Sequence, residues 1–321
     1  MENKSRSTPN KRDDFIFSIT SKKRTLPRQQ STAIQQEQLK IQILSDTHIE
    51  FWDNPAQCDF IKPIAPILAL LGDICCCGTD ADFNKYMIFI NHLLPKFENI
   101  IIVAGNHEFW HSEGETKRGS TIGAAELVTM RQIDKKLRQF CATSKKLHYL
   151  NNNTMRLMVG NQPYIFIGST LWTNIKKENY EKVTKMMNDY KFINVEYADD
   201  TAQESGIRKL QPEDTTKMHL RSVAYITGQL AKIQKVMPTA KIIVLTHHKP
   251  YISPYSKFSE TYESDLCRLF GKGIALWAYG HTHVRDDITF NYDKGKIRIY
   301  SNPKGYPYQR TGYKKDDVLI I

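Results

Sequence analysis

Six short apolar runs recur along the chain, and each stops on polar residues. They read "LKIQILSD" at 39–46, "APILALLGD" at 65–73, "ENIIIVAGNHE" at 98–108, "YIFIGST" at 164–170, "KIIVLTHH" at 241–248 and "IALWAYGHTH" at 274–283. Apolar runs this short predict buried β-strands that run out into loops. Helical spacing fills the intervals. Residues 80–94 place Phe83, Tyr86, Met87, Ile90, Leu93 and Leu94 on one stripe behind an opening Asp. Residues 122–140 do the same with Leu127, Met130, Ile133, Leu137 and Phe140, and 215–236 predict a third helix. "KIRIYSNPKGY" and "DDVLII" read as closing strands around a turn. Strands alternating with helices predict an α/β domain, and such folds bind ligands beyond the carboxyl ends of their strands.

The alternation begins only near residue 39. Residues 1–38 are polar, basic and rich in Gln and Ser. They cannot bury enough surface to offset their ordering entropy, which predicts a disordered tail. Residues 39–321 then form one domain, with no internal repeat or linker.

Composition narrows the class. The chain has 321 residues, 40% hydrophobic and 25% charged, as ordinary globular domains do. No apolar run approaches the roughly 18 residues that span a bilayer, and "FIFSI" is too short for a signal-peptide core. A cytoplasmic protein is expected. The net charge of +11 suits a phosphorylated substrate and keeps nucleic acid open as a partner. Oligomeric state has no signature in the sequence.

Candidate chemistry sits on the strand ends: Asp46 and His48 in "SDTHIE", Asp73 in "LGD", Asn106 and His107 in "GNHE", His247 and His248 in "THHKP", His281 and His283 in "GHTH". In an extended stretch, D-x-H and G-H-x-H point both side chains the same way, so each pair can grip one ion or two neighbours. One strand-end histidine is ordinarily a satisfied hydrogen bonder; five clusters ending five strands exceed what packing requires. Imidazole, carboxylate and amide oxygen without thiolate favour Mn, Fe, Zn or Co, with Mn the first choice. "LGDICCCGTD" poses a choice between Asp73 and the adjoining Cys75, Cys76 and Cys77. No C-x-x-C pair exists, and zinc sites ordinarily space their cysteines, so the three read as reduced, partly buried small residues.

The ordered set D-x-H, GD, GNHE, HH-x-P and GHxH, over about residues 40–310, resembles the calcineurin-like metallophosphoesterase superfamily. "IQILSDTHIEF", "GSTLWTN", "MNDYKFI", "SDLCRLF" and "SNPKGY" are similar to its compact bacterial-type phosphoesterases. The resemblance implies a four-layer α/β/β/α sandwich with two divalent metal ions. It implies Asp46, His48 and His283 on the first ion, Asn106, His247 and His281 on the second, and Asp73 bridging. It implies His107 as the general acid that protonates the leaving oxygen while metal-activated hydroxide attacks phosphorus. "GDICCCG" lacks the second Asp and the Arg of the GD-x-x-D-R-G block found in the protein serine/threonine phosphatases of that superfamily, which counts against that branch.

The leading expectation is a phosphoesterase acting on a small phosphate ester, diester slightly before monoester. A non-catalytic scaffold of the same fold and a nuclease are the alternatives. Residues 170–222 are expected to form a cap or pocket wall, with Trp172, Asn188, Asp189, Tyr190, His219 and Arg221 as candidates to shape it. Lys304 is a candidate to face the phosphate.

Overall fold

The computed structural model describes residues 37–56, 59–111, 127–199, 204–254, 259–292 and 295–321. The expected tail therefore lies outside the described residues, apart from its last two, as do Cys58 and the first part of the helix predicted over 122–140.

In chain order the elements are β1 (Lys40–Leu44), β2 (Ile67–Leu71), α1 (Asp80–Leu93), β3 (Asn99–Val103), α2 (Met130–Cys141), β4 (Leu147–Tyr149), β5 (Asn153–Val159) and β6 (Gln162–Ser169). There follow α3 (Tyr180–Met186), α4 (Asp189–Phe192), β7 (Asn194–Asp199), β8 (Glu204–Lys209), α5 (Pro212–Val236), β9 (Lys241–Thr246) and α6 (Ser259–Tyr262). The chain closes with β10 (Ile274–Tyr279), β11 (Asp286–Tyr292), β12 (Gly295–Ser301) and β13 (Leu319–Ile320). One sheet runs β13-β1-β2-β3-β4 and the other β11-β12-β10-β9-β6-β5, while β7 and β8 pair alone. The inner strands are parallel; β13, β11 and β5 are antiparallel edges.

The period of two along each strand separates the cores. Ile67, Ala69, Leu71, Ile101 and Val103 face the second sheet and meet its Phe166, Ile243, Leu245, Leu276 and Ala278. The alternate positions Leu68, Leu70, Ile100 and Ile102 turn outward onto Tyr86, Phe89 and Ile90 of α1 and Ile133 and Leu137 of α2. On the other side Ile165, Ile167, Ile242 and Val244 meet Val223, Ile226, Leu230 and Ile233 of α5. These central strands read as unbroken apolar runs because both faces are buried. The result is the α/β/β/α sandwich the sequence implies.

Two helices begin elsewhere than predicted, because caps outweigh apolar spacing. α2 starts at Met130, where Thr129 and Gln132 form a reciprocal capping box, which leaves Leu127 outside the helix. α5 starts at Pro212, where Gln211 and Asp214 cap it and proline occupies the first turn. Among the described residues no helix is long and apolar enough to cross a membrane.

The two sheets touch at their carboxyl ends through backbone. Ser45 after β1 bridges to Pro303 after β12, Lys304 N–H donates to Ser45 O at 2.9 Å, and Gly305 N–H donates to Asp46 O at 2.8 Å. Every polar cluster picked out in the sequence is gathered at this end.

Candidate metal centre

Asp46 and His48 follow β1, Asp73 follows β2, Asn106 and His107 follow β3, His247 follows β9, and His281 and His283 follow β10. Asp46, Asp73, His48, His281 and His283 all adopt left-handed backbone, with φ of 55°, 52°, 48°, 67° and 52°. The D-x-H and G-H-x-H pairs therefore do not converge as extended strand. Tight left-handed turns bend each loop inward, a conformation that non-glycine residues hold only under constraint. Gly72 and Gly105 permit the closest approach. A Cβ on Gly105 would lie 2.2 Å from Asp73 Oδ1, and one on Gly72 would lie 2.5 Å from His247 Nδ1.

Three groups of possible ligands result among the described residues: Asp46, His48 and His283; Asp73, His247 and His281; and His48, Glu50 and His107, each with ligand atoms within 4.8 Å of one another. The first two hold the residues expected as metal ligands. In the first, His48 Nε2 lies 3.1 Å from His283 Nε2, which is 3.3 Å from Asp46 Oδ1. In the second, His247 Nε2 lies 3.0 Å from Asn106 Oδ1, 3.1 Å from His281 Nδ1 and 3.4 Å from Asp73 Oδ1.

Outer contacts fix which atoms face inward. His247 Nδ1 donates to Leu71 O at 2.8 Å, His48 Nδ1 to Glu50 Oε1 at 3.1 Å, and His283 Nδ1 to Gln309 Oε1 at 2.5 Å. Asn106 Nδ2 donates to Asp189 Oδ1 at 2.8 Å, which turns its carbonyl oxygen toward His247. With these N–H groups spent outward, the second ring nitrogens and the Asn106 oxygen converge to about 3 Å of one another, an arrangement that requires positive charge among them, from protons in the metal-free site or from a cation. The residues present fit two divalent ions.

The charge balance says the same. Burial disfavours a charged ring at His247, but Asp73 beside it outweighs burial and pushes its pKa up to about 10. At His283 burial is likewise overcome, by Asp46, and the pKa rises to about 9. Protons occupy the place of positive charge. Asp46 and Asp73 are held below the usual carboxylate range: burial opposes ionisation, and the neighbouring histidines override it.

His107 lies between the clusters and solvent. Its Nδ1 donates to the same Glu50 Oε1 at 3.1 Å, its Nε2 is 3.9 Å from Asp73 Oδ2, and Trp110 stacks on its ring at 3.5 Å. Burial would lower its pKa; Asp73 and Glu50 raise it above the ordinary value. Glu108 binds the loops together, its carboxylate accepting from the N–H groups of Asp73 at 2.9 Å, Ile74 at 2.7 Å and Gly105 at 2.7 Å. Burial and then the Asp73 charge push the Glu108 pKa up to about 7.

A cavity of about 360 Å³ opens over Asp73, His107, His281 and His283 and is walled by Trp110, Met186, Met187, Asn188, Tyr262 and Tyr306. Of the residues named as pocket candidates, Asn188 lines it and Asp189 lies behind it, orienting Asn106. The others serve elsewhere. Trp172 and Tyr190 are core, His219 binds the carbonyls of Leu171 and Trp172 at 3.2 Å, and Arg221 lines a separate cavity beside α2. Lys304 sits over the rings of Trp52 and Phe60, 5.3 and 5.9 Å from their centroids. His248 stays outside both clusters, bonded to Thr170 O at 3.0 Å.

Cys75, Cys76 and Cys77 are buried, and burial drives all three thiols far above their ordinary range. Cys75 and Cys77 pack in the core under α1. Among the described residues no cysteine joins a candidate metal cluster.

Sequence reasoning missed Glu50, Glu108, Tyr306 and Gln309. Glu50 and Glu108 stood inside quoted motifs, two residues past His48 and one past His107. Tyr306 closed the quoted "SNPKGY" without being assigned a role, and Gln309 carried no signal, since only the turn after β12 brings them to His283.

A family model described as calcineurin-like phosphoesterase matches residues 39–285. The uncharacterized protein L509 of Acanthamoeba polyphaga mimivirus is 27% identical over 295 residues, covering 85% of this chain and 93% of its own. The crystal structure of the phosphopantetheinyl hydrolase PptH from Mycobacterium tuberculosis superimposes with a TM-score of 0.56 at 15% identity, over 85% of this chain and 91% of that one.

Proposed function

This chain belongs to the calcineurin-like phosphoesterase family and is a phosphoester-cleaving hydrolase, and from that premise we propose that it is a dinuclear-metal phosphoesterase with a slight preference for phosphodiesters over monoesters. In this reading Asp46, His48 and His283 hold one ion, Asn106, His247 and His281 hold the other, and Asp73 reaches both. The observation that carries it is the pair of ligand clusters gathered beneath one cavity, with the outer N–H of His247, His48 and His283 already bonded elsewhere. When bound, two such ions supply an activated water nucleophile and neutralise phosphoryl charge.

The chain's own residues do the remaining work. Leu71 O, Glu50 and Gln309 fix the tautomers of His247, His48 and His283. Asp189 keeps the Asn106 amide oxygen inward. His107, which lines the cavity and whose pKa Asp73 and Glu50 raise against burial, delivers a proton to the departing oxygen, and Glu50 holds it from behind. Proton delivery of this kind is worth about 10²–10⁴-fold on a poor leaving group. The intact donor set and a placed acid favour turnover over a scaffold role, which needs neither.

The test is reconstitution with Mn²⁺, a metal count, and turnover of aryl phosphomonoesters and phosphodiesters by the parent and His107→Ala. Two ions per chain and diester turnover, lost in His107→Ala at unchanged metal content, are expected. A loaded protein inert on both esters refutes hydrolysis at this site. Loss of metal from His107→Ala as complete as from Asp73→Ala refutes the role of His107.

A further inference from the structure

Beyond the metal cluster the rim carries exposed rings. Phe51 is 58% exposed and Tyr308 84% exposed, while Tyr306 between them is half-buried. The Tyr306 ring lies 4.3 Å from that of His48 and 4.9 Å from that of His283. Phe51 meets Tyr306 edge-on at 5.4 Å, and Tyr308 continues from it at 6.0 Å with the two planes only 21° apart. The three rings form one surface that starts at the ligand histidines and runs outward. Exposed aromatic residues that join into one patch mark contact sites more often than isolated ones do.

The surface is fixed in place. Gly305, left-handed at φ 72°, turns the chain, and its N–H is bound by Asp46 O. Gln309 Oε1 accepts from both Tyr306 N–H at 3.0 Å and His283 Nδ1. The backbone carrying Tyr306 and Tyr308 is thus bolted to the loops that carry the metal ligands, so little ordering remains to be done on binding. Exposed Arg310 follows in the same loop.

The shape selects the occupant. An alkyl chain requires enclosure, whereas two nearly parallel rings, Tyr308 open and Tyr306 half-buried, with Phe51 edge-on, suit a flat group laid against them. The ledge begins one ring from the histidines, so a group esterified to a phosphate in the cavity reaches it without leaving the surface.

We propose that Phe51, Tyr306 and Tyr308 form a stacking ledge for the base of a nucleoside phosphoester, which makes nucleoside phosphoesters the substrate class. This rests on the phosphoesterase reading above. Base–aromatic stacking contributes about 1–3 kcal/mol per base, or roughly 5- to 150-fold.

The test uses Mn²⁺-loaded protein and calorimetric binding of adenosine 5′-monophosphate and ribose 5-phosphate, which differ only by the base. The nucleotide binds about 5- to 150-fold more tightly to the parent. Tyr308→Ala and Phe51→Ala each narrow that ratio by at least half, and Tyr308→Trp restores it. Equal affinity of the two ligands, no binding of either at millimolar concentration, or a ratio unmoved by both alanine variants overturns the ledge. Hydrolysis of adenosine 5′-methyl phosphate and ribose 5-methyl phosphate is measured in parallel. A base-dependent affinity without turnover of either diester leaves the ledge standing and removes the diesterase reading. Equal turnover with equal affinity does the reverse.

Discussion

Glu50 links His107, the proposed proton donor, to His48, a proposed metal ligand. One oxygen, Oε1, accepts from His48 Nδ1 and His107 Nδ1, each at 3.1 Å, in a site almost closed to water. Burial works against its charge, yet the two imidazoles hold its pKa down to about 2, so it is ionised throughout the working range. Replacing it with alanine removes one charge-assisted bond from each ring. Such a bond contributes about 1.5–3 kcal/mol, and 1.36 kcal/mol is tenfold in rate, so the His107 half alone predicts a loss of roughly 10- to 150-fold. Loss of an outer partner of a metal ligand, at about 10- to 100-fold, falls in the same range. Glu50→Gln keeps an acceptor oxygen and loses only charge, so its deficit is several-fold smaller. The assay compares two phosphodiesters in Mn²⁺-loaded protein, one losing p-nitrophenolate and the other an alkoxide. The phenolate leaves without a proton, so the Glu50→Ala deficit must be much larger on the alkoxide ester. Equal deficits on both esters at full metal occupancy would refute the idea that Glu50 acts through His107.

Four further outcomes follow from the same geometry. Glu108→Gln sets an amide N–H₂ against one of three backbone N–H groups, which costs about 2 kcal/mol and lowers Tm by roughly 4–8 °C; an unchanged melting curve would contradict the clamp. His247 and His283 have pKa values raised from the ordinary 6.5 to about 10 and about 9, so in metal-free protein they add stability that is full below pH 6.5 and is lost as pH rises through those values. Ion binding must expel those protons, so Mn²⁺ affinity rises from pH 6.5 to 9 with proton release measurable by calorimetry in buffers of different ionisation enthalpy; pH-independent, proton-neutral binding contradicts it. Changing Cys75, Cys76 and Cys77 together to Ala leaves turnover intact but removes three buried sulfur atoms, lowering stability by about 3 kcal/mol. Loss of bound metal in that variant would return the thiols to the site.

How far the sequence reaches depends on the kind of contact. The strands β2, β3, β6, β9 and β10 are readable because two buried faces write an apolar run, and β1 is readable despite buried Gln42, which interrupts its run. Hairpin β5, with its intermediate and exposed positions, writes no such run. The same holds for β7 and β8, which pair only with each other. Helix α2 shows that a cap can overrule a stripe: Leu127 has the right spacing but precedes Thr129. At the site, each ligand type sat in a short motif. What motifs cannot carry is a relation between distant loops, and so Asp189 behind Asn106 and Gln309 behind His283 required the fold. The inward aim of the ligands was expected from extended geometry, whereas five left-handed residues achieve it.

The seam between the sheets has a mechanical meaning. Asp46, His48, Asp73 and Asn106 come from the ends of one sheet, and His247, His281 and His283 from the other. Either ion, in the proposed assignment, would be held from both sides of that seam, so the pair would act as rivets between two leaves. At their other ends a side-chain bond, Tyr164 Oη–H to Ile321 O, joins the leaves. A chelator would then do more than silence chemistry. It would unfasten the binding edge of a book, and amide exchange along the ends of β1 and β10 would be the place to see the covers loosen.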